Sequence, residues 1–261
     1  MLWLEAAVRA RQGNGEAATS ALEAAFAYTR TVADDPFMMS HLQALSLFSG
    51  TISESCGVMS TVALDAKQID RLEDAYRTVN LGQSFERALV SEVVFALYSD
   101  FPGSAFDRPA ALLDRAAYSR LMLALIEATT LRPPELVQEL RRLNAEQPPL
   151  ARFTQPGTDN VRAAYLGKES TVQGLVMANL FRIVIAVEKT RLARKALPAK
   201  LEELVPRFFQ SVPKDPFGQG GYKYESQGGA YSIYSVGPDG VDGHSAPSRA
   251  ENDELVLHVT H

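Results

Sequence analysis

The chain has 261 residues, of which 46% are hydrophobic and 22% charged, with a formal net charge of -5. These values are typical of a soluble globular protein with one large domain or two smaller ones. A mildly acidic chain without long basic runs argues against nucleic acid as the main partner.

Helical patterns separated by short loops fill the chain up to about residue 146. Two Ala-rich amphipathic segments flank the turn "GNG" and predict a helical hairpin. After "DDP", residues 37–63 predict a third, largely buried helix. Asp65 and Gln68 have the spacing of a capping box that opens a fourth helix. We place a break at Asn80 and Gly82, and predict further helices at 84–100, 108–130 and 133–147.

A stretch rich in Pro, Gly and polar residues, "QPPLARFTQPGTDN" at 147–160, predicts a domain boundary. We therefore expect two domains, an all-helical array over 1–150 that serves as a partner-binding scaffold, and a second domain over 160–261. The second domain opens with an apolar helix at about 169–195. Its apolar positions cover more than one narrow stripe, so this helix should be packed on several sides.

Beyond Pro198 the pattern changes from helices to short runs rich in Tyr, Val and Ile. "AKLEELVPRFF" predicts a short helix, and the runs "YKYES", "AYSIYSV" and "ELVLHV" predict strands of a small antiparallel sheet. "QGG" between the first two runs predicts a hairpin connection. The expected fold class is α+β, an irregular antiparallel helical array followed by a long helix packed on a small antiparallel β-sheet.

The segment between the last two strands, 235–253, is rich in Asp and Gly. Calcium prefers carboxylate, amide and backbone carbonyl oxygens, and glycines let a loop turn its carbonyls inward. The EF-hand spacing is absent, and the alternative interpretation is a solvated acidic connection between two strands. The residues alone leave both open. The candidate metal ligands are Asp239, Asp242, Asn252 and Asp253, with Glu251 beside them.

Few residues favour catalysis. No HExxH, GxSxG, GxxxxGK or GxGxxG motif occurs, so we predict no catalytic and no cofactor-binding residue and expect that the chain is not an enzyme. Asp215 precedes Pro216, which restricts its backbone to extended geometry. We expect the Asp215 side chain to bond nearby backbone amides and fix a turn. The single cysteine, Cys56, has small apolar neighbours and should be a buried core thiol.

An ordered set of motifs follows residue 180. A long helix is succeeded by a Leu-Pro step, a Leu-rich segment, "DPFG", "YKY" and "YSIYSVGPDG". This order resembles the C-terminal globular region of the type II secretion pseudopilins, especially the major pseudopilin. The whole layout is similar to a group of uncharacterised envelope proteins of planctomycete-type bacteria, in which a helical region precedes such a tail. The matching residues are Leu197, Pro198, Leu201, Leu204, Asp215, Pro216, Phe217, Gly218, Tyr222, Tyr224, Ser235, Gly237, Asp239 and Gly240.

The resemblance implies a pseudopilin-like fold for the tail and a structural calcium ion in the acidic loop. Nothing in the chain matches the methylated apolar N-terminal helix of that family, so we do not carry over its role in the secretion pilus. We expect a non-catalytic structural or protein-binding envelope protein with a calcium-stabilised C-terminal module. The alternatives are a metal-dependent hydrolase using the 239–253 acidic cluster, or a soluble helical-repeat adaptor without metal.

Partners and location follow from the same features. We expect a protein partner, no nucleic acid and no transmembrane segment, because the most apolar run, 172–187, is short and broken by Asn179 and Arg182. A homo-oligomer stays open. The N-terminus lacks the pattern of a signal peptide. We therefore expect the cell envelope or periplasm if an N-terminal export segment was removed, and the cytoplasm otherwise.

Overall fold

The computed structural model describes residues 1–98, 155–218, 220–237 and 255–261, with scattered positions between 120 and 142. In these residues helices are followed by a three-stranded antiparallel sheet, which confirms the α+β prediction. The helices are α1 (Leu2–Arg11), α2 (Gly15–Ala33), α3 (Met38–Thr61), α4 (Ala66–Arg77), α5 (Leu81–Tyr98) and α6 (Gln155–Arg194), with a 3-10 helix at Leu201–Leu204. The strands are β1 (Lys223–Gln227), β2 (Ala230–Ser235) and β3 (Leu255–Val259).

Local capping chemistry sets the start of two helices. The predicted capping box of α4 is confirmed, because Asp65 Oδ1 accepts from the Gln68 amide at 2.8 Å and Gln68 Oε1 accepts from the Asp65 amide at 2.9 Å. At α5, Asn80 Oδ1 accepts from the Gln83 amide at 3.1 Å. Helix α5 therefore begins at Leu81. The prediction that Gly82 interrupts the chain is wrong.

Helix α6 is longer than the sequence pattern indicated. It begins at Gln155 instead of about residue 169, so the last part of the stretch in which we place a domain boundary, 155–160, is helical. Pro156 is compatible with this start because proline is tolerated in the first turn of a helix. The remainder of that stretch, 147–154, lies outside the described residues. So does most of the two helices predicted at 108–130 and 133–147, although 122–128 are helical.

The C-terminal half of α6 is a core helix. Residues 183–188 are each at most 2% exposed, and six consecutive positions point in every direction around a helix. The prediction of packing on several sides is confirmed. The segment Ser170–Arg194 is longer than the run 172–187 considered above, and by length and composition alone it could cross a membrane. In the structure 67% of its apolar window is buried, which is how the core helix of a folded protein behaves.

Contacts divide the chain into two compact units. The first unit comprises Met1–Arg30, Ser46–Val79 and Gln173–His261, and the second comprises Thr31–Leu45 and Asn80–Val172. The first unit therefore combines early helices with the C-terminal sheet. The predicted domains at 1–150 and 160–261 concern which parts fold independently, and this division stays a prediction.

Aromatic and ionic contacts hold helices of the first unit together. The Phe181 ring of α6 lies 6.2 Å from the Phe26 ring of α2 and 5.3 Å from the Tyr76 ring of α4, measured between centroids. Lys189 of α6 forms ion pairs with Asp70 and Glu73 of α4. These contacts place α6 against α2 and α4.

The sheet has the order β1-β2-β3, with both pairs antiparallel. Gly228 and Gly229 connect β1 to β2 with φ values of 61° and 90°, the backbone that a tight two-residue hairpin turn requires. The predicted hairpin at "QGG" is thereby confirmed. At the other end of β2, Ser235 pairs with Leu255 of β3. The connection between β2 and β3 therefore leaves and returns at the same point of the sheet.

Candidate functional site

A buried aspartate organises the turn before the sheet. Asp215 is 4% exposed, and its carboxylate accepts hydrogen bonds from the Phe217 amide at 3.0 Å, the Ser235 hydroxyl at 2.8 Å and the Val236 amide at 3.0 Å. The Asp215 amide donates to the Gly220 carbonyl at 3.0 Å. The predicted turn-fixing role of Asp215 is confirmed. The three bonds also join this turn to the end of β2, which the sequence did not indicate.

The start of the acidic loop is held in place by the same group. Ser235 is fully buried, donates to Asp215 and accepts from the Gly237 amide at 3.2 Å. Gly237 has φ of 76°, a conformation that favours glycine. Because Ser235 is also paired with Leu255, both ends of the connection are fixed to the sheet.

The interior of the acidic loop carries the residues predicted from sequence to bind metal. These candidate ligands lie outside the described residues, so the structure neither assembles nor separates them. Among the residues that are described, no group of three or more His, Cys, Asp or Glu side chains could hold a metal ion. The predicted ligands are Asp239, Asp242, Asn252 and Asp253.

A buried glutamate on α6 joins three parts of the first unit. Glu188 is 1% exposed, and Arg191 donates to its Oε2 from Nε at 2.9 Å and from Nη2 at 2.7 Å. The Tyr231 hydroxyl donates to Oε1 at 2.8 Å, and His261 Nε2 lies 2.9 Å from the same oxygen. Both carboxylate oxygens are thus occupied by protein groups, as a buried charge requires. The arrangement anchors α6 to the sheet.

The buried charge of Glu188 also affects the pKa of two neighbouring groups, the Tyr231 hydroxyl and the Cys56 thiol. Burial, with the Glu188 charge adding to it, raises the pKa of the Tyr231 hydroxyl well above its ordinary value. The same two causes raise the pKa of the Cys56 thiol to about 12. Cys56 is 3% exposed and stays protonated, so the predicted buried core thiol is confirmed. Sequence reasoning missed Glu188, although one signal exists, a single acidic residue directly after the apolar run 183–187.

Two serine–histidine contacts occur in the described part of the chain. In the second unit, His41 Nδ1 lies 2.9 Å from Ser84 Oγ, and Nε2 lies 2.7 Å from Thr171 Oγ1. All three residues are at most 1% exposed, and burial lowers the pKa of His41 to about 4. In the first unit, Ser232 Oγ lies 2.8 Å from His258 Nδ1 on neighbouring strands. The first contact is closed to substrates, and the second is a cross-strand pair that supports the sheet.

One region of the chain matches a known protein family. Residues 191–251 match the family model described as "Type II secretion system (T2SS), protein G". No curated protein and no solved structure matches the chain. The matched region contains the end of α6, the 3-10 helix, the Asp215 turn, β1 and β2, in the order predicted from the motifs. The C-terminal region is therefore pseudopilin-like, as the sequence resemblance indicated.

Proposed function

We propose that the chain is a non-catalytic structural or protein-binding protein of the cell envelope, whose pseudopilin-like C-terminal module is stabilised by calcium. The match of residues 191–251 to the type II secretion protein G model is the observation that carries this proposal. It supports a secretion-related envelope location. The buried, fully occupied carboxylates of Asp215 and Glu188 favour structural over catalytic roles for the acidic residues of this module.

Calcium suits the composition of the connection between β2 and β3. Residues 236–254 contain five carboxylates and one arginine, and crowded like charges repel one another unless a cation lies among them. The fixed ends at Ser235 and Leu255 support a cation site, because they lower the entropy that the loop loses when it wraps an ion. When bound, calcium would supply the charge that stabilises the loop. Its proposed ligands are Asp239, Asp242, Asn252 and Asp253.

Thermal unfolding of the full chain in EDTA, in millimolar calcium and in millimolar magnesium tests the calcium part. A ligand that binds only the folded state at about 100 times its Kd stabilises it by about 2.7 kcal/mol. For a chain of this size we expect a calcium-specific rise in Tm of roughly 5–10 °C. The double substitution Asp239→Ala and Asp253→Ala should abolish the rise.

The matched control is Asp74→Ala, which removes an exposed carboxylate of α4 outside the loop. It should keep the full response to calcium. Equal responses to calcium and magnesium, or a response that survives the double substitution, would show that the acidic connection is not a calcium site.

A further inference from the structure

A groove of about 440 Å³ borders the start of β1 in the pseudopilin-like region. Three lysines are at its rim, Lys200, Lys214 and Lys223, and all three are exposed. The chain as a whole is acidic, with 26 Lys and Arg against 31 Asp and Glu, so its average composition does not account for this cluster. The groove is lined by residues 199–202, Val212, Lys214 and residues 220–224.

The groove adjoins an edge of the sheet. Among the strands that the structure describes, β1 is an outer strand in the order β1-β2-β3, and four of its five residues are exposed. An edge strand presents unpaired backbone N–H and C=O groups to its surroundings. An isolated β-bridge between Lys214 and Gly221 precedes β1 and holds Lys214 beside the start of this strand. Lysine side chains and strand-pairing groups therefore occur side by side.

We propose that this groove and the edge of β1 that no described strand occupies bind an acidic, extended segment of a partner protein, which adds to the sheet as a further strand. Peptides that extend a sheet gain affinity from main-chain hydrogen bonds and specificity from side-chain contacts. Here the specificity is electrostatic, because Lys200, Lys214 and Lys223 attract carboxylates and outnumber Glu202, the acidic residue among those that line the groove. Lys200 and Lys214 form no ion pair with another described residue.

This inference rests on the protein-binding part of the proposed function and names the partner's chemistry. It does not depend on calcium. Lysines on an edge strand can also serve only to prevent aggregation. In that case no extended acidic peptide should bind there, which is one outcome of the test below.

The probe is a fluorescein-labelled ten-residue peptide of alternating Glu and Val, titrated with the full chain in EDTA and followed by fluorescence anisotropy. We expect saturable binding with a Kd below about 1 mM, and amide shifts in NMR spectra centred on 220–227. The double substitution Lys214→Glu and Lys223→Glu should raise the Kd about tenfold or more, since each exposed pair contributes a factor of a few. The matched control, Arg30→Glu with Lys67→Glu, makes the same change in net charge on exposed helix positions and should leave the Kd within about twofold.

Three results would overturn the inference. They are no saturable binding, equal binding of a Lys-Val peptide, or equal binding of a Glu peptide with proline at every second position, which cannot pair as a strand. Loss of peptide binding with an intact calcium response removes only this inference. Peptide binding without a calcium response removes only the calcium part of the proposed function.

Discussion

Substituting Glu188 tests whether the buried carboxylate anchors α6 to the sheet. Glu188→Ala removes the acceptor for Arg191 and for the Tyr231 hydroxyl and leaves both donors without their partner. Removing one member of a buried ion pair typically lowers the free energy of unfolding by about 3–5 kcal/mol, and because the Arg191 side chain is 22% exposed we expect the lower end of that range. For a chain of this length, that corresponds to a fall of roughly 10 °C in apparent Tm. Glu188→Gln keeps an acceptor for Tyr231 and should lower stability by less.

The assay is urea unfolding followed by circular dichroism, with Glu5→Ala as the matched control. Glu5 and Arg9 form a pair 3.5 Å apart on α1, with side chains 53% and 44% exposed. Such surface pairs contribute about 0–1 kcal/mol. Adding Arg191→Ala to Glu188→Ala should lower the free energy of unfolding only slightly further, because Arg191 has already lost Glu188 as its partner. If Glu188→Ala and Glu5→Ala have equal effects, the anchoring role of Glu188 is refuted.

Two further predictions concern buried packing. Because burial lowers the pKa of His41 to about 4 from about 6.5, the unfolded chain binds a proton between these pH values that the folded chain does not. The free energy of unfolding should therefore fall by about 3 kcal/mol as the pH drops from about 6.5 to about 4. In urea titrations at several pH values, His41→Gln should remove this part of the pH dependence. Unchanged pH dependence would contradict a buried neutral histidine. In α3, a Cβ at Gly50 would lie 2.6 Å from the Trp3 ring, whereas one at Gly57 would meet nothing within 4 Å. Gly57→Ala should raise the free energy of unfolding by about 1 kcal/mol. Gly50→Ala should not give this increase, and it should shift the fluorescence emission of Trp3, the single tryptophan. Identical Trp3 emission in both variants would refute the contact between Gly50 and Trp3.

The elements that sequence predicted well depend on neighbours a few residues apart. The Asp65–Gln68 capping box, the hairpin at Gly228 and Gly229 and the turn at Asp215 each rest on residue types with local backbone preferences. The predicted start of α6 at about residue 169 is wrong because local residue preferences do not decide it. Local signals at Pro156 and Gly157 favour a loop, and the structure places both in a helix. A long helix stabilised by its tertiary packing overrides such local preferences.

The polar groups inside the core could not be assigned from sequence. His41 and Thr171 are 130 positions apart, and Glu188 and His261 are 73 apart. Only the folded chain brings such residues together, and periodicity reports which face is apolar without naming the partner of a polar residue. The amide of Val236, held by Asp215, was equally hidden, because a backbone group carries no signal in the residue type.

The composition of the first unit has a consequence for the order of events on the ribosome. Residues 1–30 and 46–79 bury their apolar surface in a unit that also requires residues 173–261. At about 5–20 residues per second, the ribosome needs roughly 7–30 s to pass from residue 30 to residue 173. During that time the helices α1 and α2 have been synthesised, but α6 and the sheet, which pack in the same unit, have not. The apolar faces of α1 and α2 are then not covered by these elements. Completion of the first unit therefore has to wait until α6 and the strands have been made, well after α1 and α2.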